Sequence, residues 1–394
     1  MFKRTFLIVM DSVGIGEAPD AAAFNDTGTH TFTHTARAKG SIHVPTLASL
    51  GLGHLTEIPG VPAKASQSAY GKMQETSAGK DTMTGHWELM GLYIDVPFQT
   101  FTETGFPDAL INQLEDLWGR KCVGNKAASG TEIIQELGAH HVKTGDLIVY
   151  TSADSVLQIA AHEDVVPLNE LYDACEKARA ITLEGPYKLG RIIARPFKGT
   201  AKEGFVRTAN RHDYALKPFA KTTLDHLKTA GYTVAAFGKI ADIYDGEGIT
   251  ESKRQASNDE GMDNFTAFLD RDFEGLAFLN LVDFDALYGH RRDPLGYHRA
   301  LETFDQQLQH FITQMRPDDL LIVTADHGND PTHKGTDHTR EYVPLLIHSK
   351  QFKKSLALGT IRSFSAVGAT IADIYNVQAP DYGSSVYAQI KTLI

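Results

Sequence analysis

The sequence has few cysteines, no long apolar run and no excess of positive charge. Cys122 and Cys175 are the only two cysteines in 394 residues, which excludes a disulfide framework and favours a reducing compartment. No stretch approaches the roughly 18 apolar residues of a membrane-spanning helix. The apolar run at residues 6–10 stops at Asp11 and is too short for a signal peptide. We therefore expect a cytoplasmic protein without a membrane partner.

The charge balance is acidic, with a formal net charge of −11. This argues against nucleic acids or anionic membranes bound through bulk charge, but it is compatible with a local basic pocket for a small phosphorylated molecule. The apolar fraction of 42% is near the globular average, so the chain can build a sizeable core. The length of 394 residues predicts two domains, or one large domain with an insertion.

Short apolar runs that lead into acidic residues indicate the fold class. Such runs occupy residues 6–10, 276–282 and 320–325, and further strands are predicted at 232–237 and 342–348. Runs of this length without alternation are typical of strands buried on both faces of a parallel sheet. Helical patterns lie between them, for example at 222–230 and 297–314. The alternation predicts an α/β fold with a mostly parallel sheet flanked by helices.

The middle of the chain is less regular. Residues 99–218 contain predicted strands at 147–150 and 191–195 and a predicted helix at 168–180. We interpret this segment as a smaller α/β domain inserted between two core segments, residues 1–98 and 219–394.

Three acidic residues follow the predicted core strands. Asp11, Asp285 and Asp326 lie where an open α/β sheet binds ligands, beyond the carboxyl ends of its strands. Three carboxylates in one crevice repel each other unless cations neutralise them. The alternative is that each aspartate caps the next helix. Nearby histidines favour metal binding, and these are His290, His327 and His338.

Six ligands of this kind can hold two divalent ions. Imidazole and carboxylate together suit Mn²⁺ or Zn²⁺ better than Ca²⁺, and the residues alone do not choose between the two. Two ions about 3.5–4 Å apart can hold the attacking and departing oxygens of an in-line displacement. The pattern therefore favours chemistry on a phosphate ester.

A polar, hydroxyl-rich segment at residues 77–88 supplies a candidate nucleophile. Thr82 or Thr84 beside a metal could lose its proton and attack phosphorus, and residue chemistry alone does not choose between them. The alternative is a threonine N-cap for a helix that begins near His86. The turn after Asp11 has Pro19 where a dinucleotide-binding fingerprint needs its third glycine, which disfavours a nicotinamide enzyme.

Together these segments resemble the phosphopentomutases, a family of the alkaline phosphatase superfamily. The matching motifs lie at residues 9–16, 79–88, 284–294, 325–331 and 335–341. The resemblance covers essentially the whole chain. It implies an alkaline-phosphatase-like core with an inserted cap, and it implies that Thr82 is the phosphorylated residue. It also implies one metal held by Asp11, Asp326 and His327 and a second held by Asp285, His290 and His338, with Mn²⁺ as the usual ion.

The resemblance implies interconversion of α-D-ribose 1-phosphate and D-ribose 5-phosphate, and of the 2-deoxyribose pair. Phosphothreonine 82 would donate its phosphoryl group to the incoming sugar phosphate, and the 1,5-bisphosphate would return its other phosphate. A sugar bisphosphate, such as ribose 1,5-bisphosphate or glucose 1,6-bisphosphate, would prime the enzyme. The expected partners are small pentose phosphates, without a nucleic acid or an obligate protein partner.

A mutase must also hold the non-reacting phosphate, which requires cations on the cap or at its rim. Ser152 with Asp154 resembles the sugar-contacting pair of the family. Most of the candidate cations could equally be ordinary surface charges. The candidates are Arg191, Arg195, Arg207, Arg211, Lys217 and Lys239, of which we select Arg191, Arg207, Arg211 and Lys239. Competing interpretations are a metal-dependent phosphatase or phosphoglycerate mutase of the same superfamily, and a non-catalytic metal or phosphosugar sensor built on the scaffold of a former enzyme.

Overall fold

Strands and helices follow one another along the chain, and the apolar runs of the sequence become strands. The computed structural model describes residues 2–152, 155–183 and 185–394. Its strands are β1 (Arg4–Met10), β2 (Ser68–Gln74), β3 (Cys122–Ala127), β4 (Leu147–Thr151), β5 (Val156–His162), β6 (Arg191–Thr200), β7 (Gly204–Arg207), β8 (His212–Ala215), β9 (Thr233–Phe237), β10 (Glu251–Lys253), β11 (Gly275–Leu281), β12 (Asp319–Thr324), β13 (Val343–His348) and β14 (Leu356–Arg362). Its α-helices are α1 (Thr31–Arg37), α2 (Pro45–Ser49), α3 (Thr82–Leu89), α4 (Asp108–Trp118), α5 (Gly130–Thr144), α6 (Leu168–Ile181), α7 (Thr223–Thr229), α8 (Ile240–Ile243), α9 (Asn258–Ala267), α10 (Pro294–Gln314), α11 (Ala366–Tyr375) and α12 (Tyr387–Lys391).

The chain divides into two compact units. The larger unit comprises Met1–Pro97 and Lys217–Ile394, and the smaller unit comprises Phe98–Leu216. The expected insertion spans residues 99–218, and its assignment as a cap stays a prediction.

The larger unit is built on a mixed sheet with the strand order β10-β9-β11-β1-β12-β13-β2-β14. Neighbours from β10 to β12 run parallel, β13 is antiparallel to β12 and β2, and β14 is parallel to β2. Every residue of β1, β11 and β12 is buried, because helices cover both faces of these central strands. The predicted α/β fold with a mostly parallel sheet is confirmed.

Aromatic contacts show how the helices cover the two faces of this sheet. Phe6 of β1 packs against Phe265 of α9 and Phe311 of α10, with ring centroids 5.6 and 5.4 Å away. On the opposite face, Phe278 of β11 stacks on His86 of α3 at 5.9 Å. Helix α3 is therefore fixed directly over the strands whose carboxyl ends carry the predicted ligands.

The register of the central strands brings the predicted acidic residues to one edge. Val9 in β1 lies opposite Asn280 in β11 and Thr324 in β12, so the three strands end at the same level. The loops that follow them therefore leave the sheet side by side, as expected for parallel neighbours.

The smaller unit has its own sheet, with the order β3-β4-β5-β6-β7 and with β8 paired to β6. Alternate residues of β4 point to opposite faces. Leu147 and Val149 pack in a core with α4 and α6, whereas Ile148 and Tyr150 pack with α5. This unit therefore contains two apolar layers around one mixed sheet.

Both cysteines are unpaired, Cys175 in the core and Cys122 half-buried, which agrees with the expected absence of disulfides. Within the described residues, no helix combines the length and the apolarity that crossing a membrane requires.

Candidate metal centre

The loop after β1 places Asp11 at the bottom of a buried site. Asp11 is completely buried, and the next residue, Ser12, has a positive φ of 72°. The Ser12 backbone N–H donates to Oδ1 of Asp326 over 3.0 Å, which ties the β1 and β12 loops together. The first helical turn after Asp11 is a 3₁₀ turn at Ala21–Phe24. The alternative role of Asp11 as a helix cap is therefore wrong.

Asp285 lies further from its strand than expected. Strand β11 ends at Leu281, and Asp285 lies inside the π-helical turn Phe284–Gly289. The His290 backbone N–H donates to the Asp285 carbonyl over 3.0 Å, an i→i+5 bond that puts both side chains on one face. Nε2 of His290 accordingly lies 3.1 Å from Oδ2 of Asp285. The expectation that Asp285 lies directly at the end of its strand is wrong, because Asp285 lies within the π-helical turn that follows the strand. The same turn brings Asp285 next to His290.

The three predicted histidines share one hydrogen-bonding arrangement. Nδ1 of each lies within hydrogen-bond distance of a backbone carbonyl. The distance is 2.7 Å from His290 to the Thr336 carbonyl, 3.0 Å from His327 to that of Gly328, and 3.1 Å from His338 to that of Lys80. A carbonyl only accepts, so these contacts assign the proton to Nδ1. In the neutral form of each imidazole, Nε2 then presents a lone pair, as metal-ligating imidazoles do.

All six predicted ligands converge. Nε2 of His327 lies 3.3 Å from Oδ2 of Asp326 and 3.5 Å from Oδ1 of Asp11. Nε2 of His338 lies 3.3 Å from Oδ1 of Asp285 and 3.1 Å from Nε2 of His290. Two groups have ligand atoms within 4.8 Å of one another, namely Asp11 with Asp326 and His327, and Asp285 with His327 and His338.

The electrostatics of this centre call for cations. Burial, followed by the charges of Asp326 and Asp285, raises the pKa of Asp11 well above its usual value. Burial lowers the pKa of His327 to about 4, so that its imidazole is neutral near neutral pH. Oδ1 of Asp11 is buried and has no hydrogen-bond partner in the described part of the chain. Divalent ions would satisfy this oxygen and neutralise the carboxylates, so the donor set fits them.

The start of helix α3 places the two candidate threonines differently. Asp81 is the N-cap of α3, and its carboxylate accepts from the backbone N–H of Thr84 at 3.1 Å and from its hydroxyl at 2.5 Å. Oγ1 of Thr82 instead lies 3.1 Å from Nε2 of His327. The alternative of a threonine N-cap for a helix beginning near His86 is wrong, and the geometry singles out Thr82.

Three further side chains contact the predicted ligands. Nδ2 of Asn280 donates to Oδ2 of Asp11 at 2.9 Å, and Nδ2 of Asn329 donates to Oδ1 of Asp285 at 2.8 Å. Nδ1 of His86 lies 3.0 Å from Oδ2 of Asp326. The sequence analysis did not single out these residues. A signal existed for Asn280, because it is the one polar residue in the apolar run 276–282.

Lys239 is the predicted substrate residue that belongs to the larger unit. It follows β9 at the start of α8 and is half-buried. The positive charge of Lys239 lowers the pKa of Asp11, against the effect of burial, which raises it. The Lys239 ammonium group is therefore close enough to act electrostatically on Asp11. Its contact with substrate stays a prediction.

The remaining substrate candidates belong to the smaller unit. Ser152 follows β4, Arg191 begins β6, and Asp154 lies outside the described residues. Arg211 makes a two-pronged ion pair with Asp213, with both N···O distances 2.5 Å.

Arginines of the smaller unit surround one buried tyrosine. The Tyr150 hydroxyl is buried, and among the described residues it has no hydrogen-bond partner. Burial raises the pKa of Tyr150, and three nearby guanidinium groups oppose that rise: Arg195, Arg207 and Arg211. Arg195 was considered in the sequence analysis but not selected, and its Nε donates to Oε1 of Gln158 at 2.9 Å.

The chain matches the family model of the metalloenzyme superfamily over residues 3–379. It belongs to that superfamily. The metalloenzyme is similar to the PH0037 protein of Pyrococcus horikoshii, with a TM-score of 0.50 and 15% identity over 98% of this chain and 100% of that chain. It is also similar to a Leishmania mexicana phosphoglycerate mutase studied at low cobalt concentration, with a TM-score of 0.49 and 12% identity over 98% and 97% of the two chains.

A protein of the alkaline phosphatase superfamily from Vibrio parahaemolyticus is similar at a TM-score of 0.42 and 11% identity, over 97% of this metalloenzyme and 68% of that chain. At 15% identity the PH0037 likeness describes the fold alone. The superfamily match and the two ligand groups support divalent metal ions as cofactors of this metalloenzyme.

Proposed function

We propose that this metalloenzyme is a phosphopentomutase that interconverts α-D-ribose 1-phosphate and D-ribose 5-phosphate, and the 2-deoxyribose pair. The observation that carries the proposal is the position of Thr82. Its hydroxyl lies 3.1 Å from Nε2 of His327, within a centre of three carboxylates and three imidazoles. A hydroxyl so placed is suited to accept and return a phosphoryl group.

Two divalent ions, with Mn²⁺ proposed, would be held by Asp11, Asp326 and His327 and by Asp285, His290 and His338. When bound, they would supply Lewis acidity at the phosphoryl oxygens and lower the pKa of a coordinated hydroxyl. The chain itself keeps the three imidazoles in the Nδ1–H form and fixes Thr82 through helix α3.

The group transfer would proceed through Thr82. In the phosphorylated enzyme, the bond between phosphorus and Oγ1 of Thr82 breaks as the free hydroxyl of the sugar phosphate attacks phosphorus and releases its proton. The product is a 1,5-bisphosphate. Oγ1 of Thr82 then attacks the other phosphate, and the sugar oxygen that departs takes up a proton. A sugar bisphosphate such as ribose 1,5-bisphosphate or glucose 1,6-bisphosphate would phosphorylate an enzyme that has lost its phosphate.

We further propose anion-binding and sugar-binding roles for residues that do not belong to the metal centre. Arg191, Arg207 and Arg211 would bind the non-reacting phosphate, and Ser152 with Asp154 would contact the sugar. Support for Arg207 and Arg211 comes from their positive field around Tyr150 and from the unpartnered hydroxyl of that residue, whereas the other roles rest on the resemblance and on residue type. Lys239 would contribute a further cation near Asp11.

The test is to incubate the purified enzyme with ribose 1-phosphate, Mn²⁺ and a trace of glucose 1,6-bisphosphate, and to follow phosphorus by ³¹P NMR. Ribose 5-phosphate should accumulate to an equilibrium mixture, and intact mass should show one phosphoryl adduct that maps to residues 77–88. Accumulation of inorganic phosphate instead would identify a phosphatase. Turnover of 3-phosphoglycerate but not of ribose 1-phosphate would identify a phosphoglycerate mutase.

A further inference from the structure

Two carboxylates of the candidate metal centre each accept a hydrogen bond from an asparagine side chain. Asn280 donates to Asp11 at 2.9 Å and Asn329 donates to Asp285 at 2.8 Å. Both asparagines are completely buried. A carboxylate can only accept, so each amide must present its NH₂ group to it, and this fixes the amide orientation.

Asn280 connects the two aspartates of the first metal position, defined as Asp11, Asp326 and His327. Its Nδ2 also lies 3.3 Å from Nε2 of His86. Because that contact makes Nε2 the acceptor, the proton of His86 is on Nδ1, which lies 2.9 Å from the Thr82 carbonyl and 3.0 Å from Oδ2 of Asp326. A chain of polar contacts therefore runs from Asp11 through Asn280 and His86 to Asp326: hydrogen bonds join the first three residues, and a close Nδ1···Oδ2 approach joins His86 to Asp326.

Asn329 serves the second metal position, defined as Asp285, His290 and His338. Its Oδ1 accepts from Nη1 of Arg292 at 2.5 Å, and its backbone N–H donates to Oγ1 of Thr31 at 3.0 Å. Arg292 is itself fixed by donation to the carbonyls of Gly289 and Gly335. A positive charge on the acceptor side of the amide polarises it and strengthens its donation to Asp285.

Each asparagine and the residues that hold it form what we call a support. The two supports share no residue, although the two metal positions are adjacent. One support runs through strand β11 and helix α3, whereas the other runs through the loop after β12 and the guanidinium of Arg292. Hydrogen bonds to a ligating carboxylate decide which of its oxygens and lone pairs face the ion. Each support therefore acts on carboxylates that belong to one position only: Asp11 and Asp326 for Asn280, and Asp285 for Asn329.

We propose that Asn280 and Asn329 are positioning residues that set the metal affinity of the first and the second position separately. The proposal rests on the two-ion site of the proposed function, but not on the identity of the sugar substrate. Removing either amide proton donor should lower the affinity for one ion about 10–100-fold and leave the affinity for the other ion nearly unchanged.

The test is a crossed pair of isosteric variants, Asn280→Leu and Asn329→Leu, each of which serves as the matched control for the other. Metal-free protein is titrated with Mn²⁺ and free ion is counted by electron paramagnetic resonance. Anomalous diffraction at the manganese edge then locates the weakened ion. Wild type should bind two ions. Asn280→Leu should lower the affinity for the ion at Asp11 and Asp326. Asn329→Leu should lower the affinity for the ion at Asp285 and His338.

Several results would overturn the proposal. The proposal is wrong if both variants bind both ions as wild type does. It is also wrong if each variant loses both ions equally, which is what a purely structural role produces. Thermal unfolding in EDTA checks that the variants fold. If a leucine variant does not fold, the alanine variant at the same position replaces it, because alanine leaves room for water.

The outcome also separates this proposal from the proposed function. If wild type binds no Mn²⁺, both are wrong. If wild type binds two ions with the crossed pattern but does not convert ribose 1-phosphate, the positioning roles stand and the pentose mutase assignment is wrong. If it converts ribose 1-phosphate and both variants bind Mn²⁺ as wild type does, only the positioning roles are wrong.

Discussion

Oγ1 of Thr82 lies 3.1 Å from Nε2 of His327, whereas the hydroxyl of Thr84, two residues along the same helix, donates to the carboxylate of Asp81 at 2.5 Å. The Thr82 hydroxyl therefore faces the candidate metal ligands, and the Thr84 hydroxyl donates to the residue that caps the helix. This difference gives the two threonines distinct predicted phenotypes.

Thr82→Ala should abolish the phosphoryl adduct and lower turnover by at least about 10³-fold, because no group replaces the nucleophile. Thr84→Ser, which keeps a hydroxyl for Asp81, should retain turnover within a few-fold. Intact mass, initial rates and Mn²⁺ binding are measured on both. Wild-type turnover by Thr82→Ala would show that the nucleophile is another residue.

Metal removal should abolish turnover and lower stability. If the carboxylates and imidazoles of the centre bind ions in the folded state only, each ion adds about 2.7 kcal/mol when its free concentration is 100 times its Kd. Thermal unfolding is measured in EDTA and at several Mn²⁺ concentrations, with Asp326→Asn as the comparison. A melting temperature of wild type that is independent of Mn²⁺ would contradict the assignment of these residues as ligands.

His30 should make stability fall as the solution becomes acidic. Burial, and then the charge of His34, lowers the pKa of His30 from 6.5 to about 4. Between these values the unfolded chain binds the proton more tightly, so stability is lost as pH falls from 6.5 towards 4. The His30 contribution between pH 7 and pH 5 is about 2 kcal/mol.

The variant His30→Asn tests this, because asparagine keeps the N-cap acceptor that His30 provides to Thr33 of α1. Urea unfolding in EDTA is compared at pH 5, 6 and 7. Wild type should lose more stability than the variant as pH falls. Equal losses would mean that His30 has the same proton affinity in the folded and unfolded chain.

Arg340 and Glu75 form a buried ion pair, each about 2% exposed, with Nη1 2.6 Å from Oε2. Burial raises the pKa of Glu75 well above its usual value, and Arg340 opposes that rise. Arg340→Met should cost about 3–5 kcal/mol, since it leaves a buried carboxylate unpaired. The double variant Arg340→Met with Glu75→Gln should recover part of the loss in urea unfolding. A double variant less stable than either single variant would show that the pair is not coupled in this way.

Gly85 allows helix α3 to approach the β12 loop. A Cβ atom at this position would lie 2.1 Å from the backbone oxygen of Asp326, so Gly85→Ala must displace the helix or the loop. A displacement of about 1 Å at Thr82 is expected to lower turnover about 10²-fold. The control is Gly261→Ala in α9, where the three atoms nearest to the added Cβ belong to the flexible side chain of Gln255. Initial rates that fall equally in both variants would contradict this explanation.

Much of the architecture could be predicted from local pattern. Strands buried on both faces must be apolar throughout, so the runs at 6–10, 276–282 and 320–325 were recognisable without tertiary information. The same holds for the six candidate ligands, because carboxylates and imidazoles clustered after such runs have few structural uses. Their convergence at one centre agrees with that reasoning, and their role as ligands is what the metal experiments test.

The finer features of the centre depend on contacts between distant segments. The choice of Thr82 over Thr84 depends on His327, which is 245 residues away from Thr82. The histidine tautomers depend on carbonyls supplied by other loops, and the position of Asp285 depends on a π-helical turn that no periodicity announces. Asn280 and Asn329 are ordinary polar residues until the fold places them against Asp11 and Asp285.

The sequence by itself determined the apolar strands at the centre of the larger sheet and which side chains have the chemistry to bind cations, because burial and ligand chemistry are properties of short stretches. Only the tertiary structure decided which atoms face one another, because hydrogen-bond partners, local field and burial are set by packing across hundreds of residues.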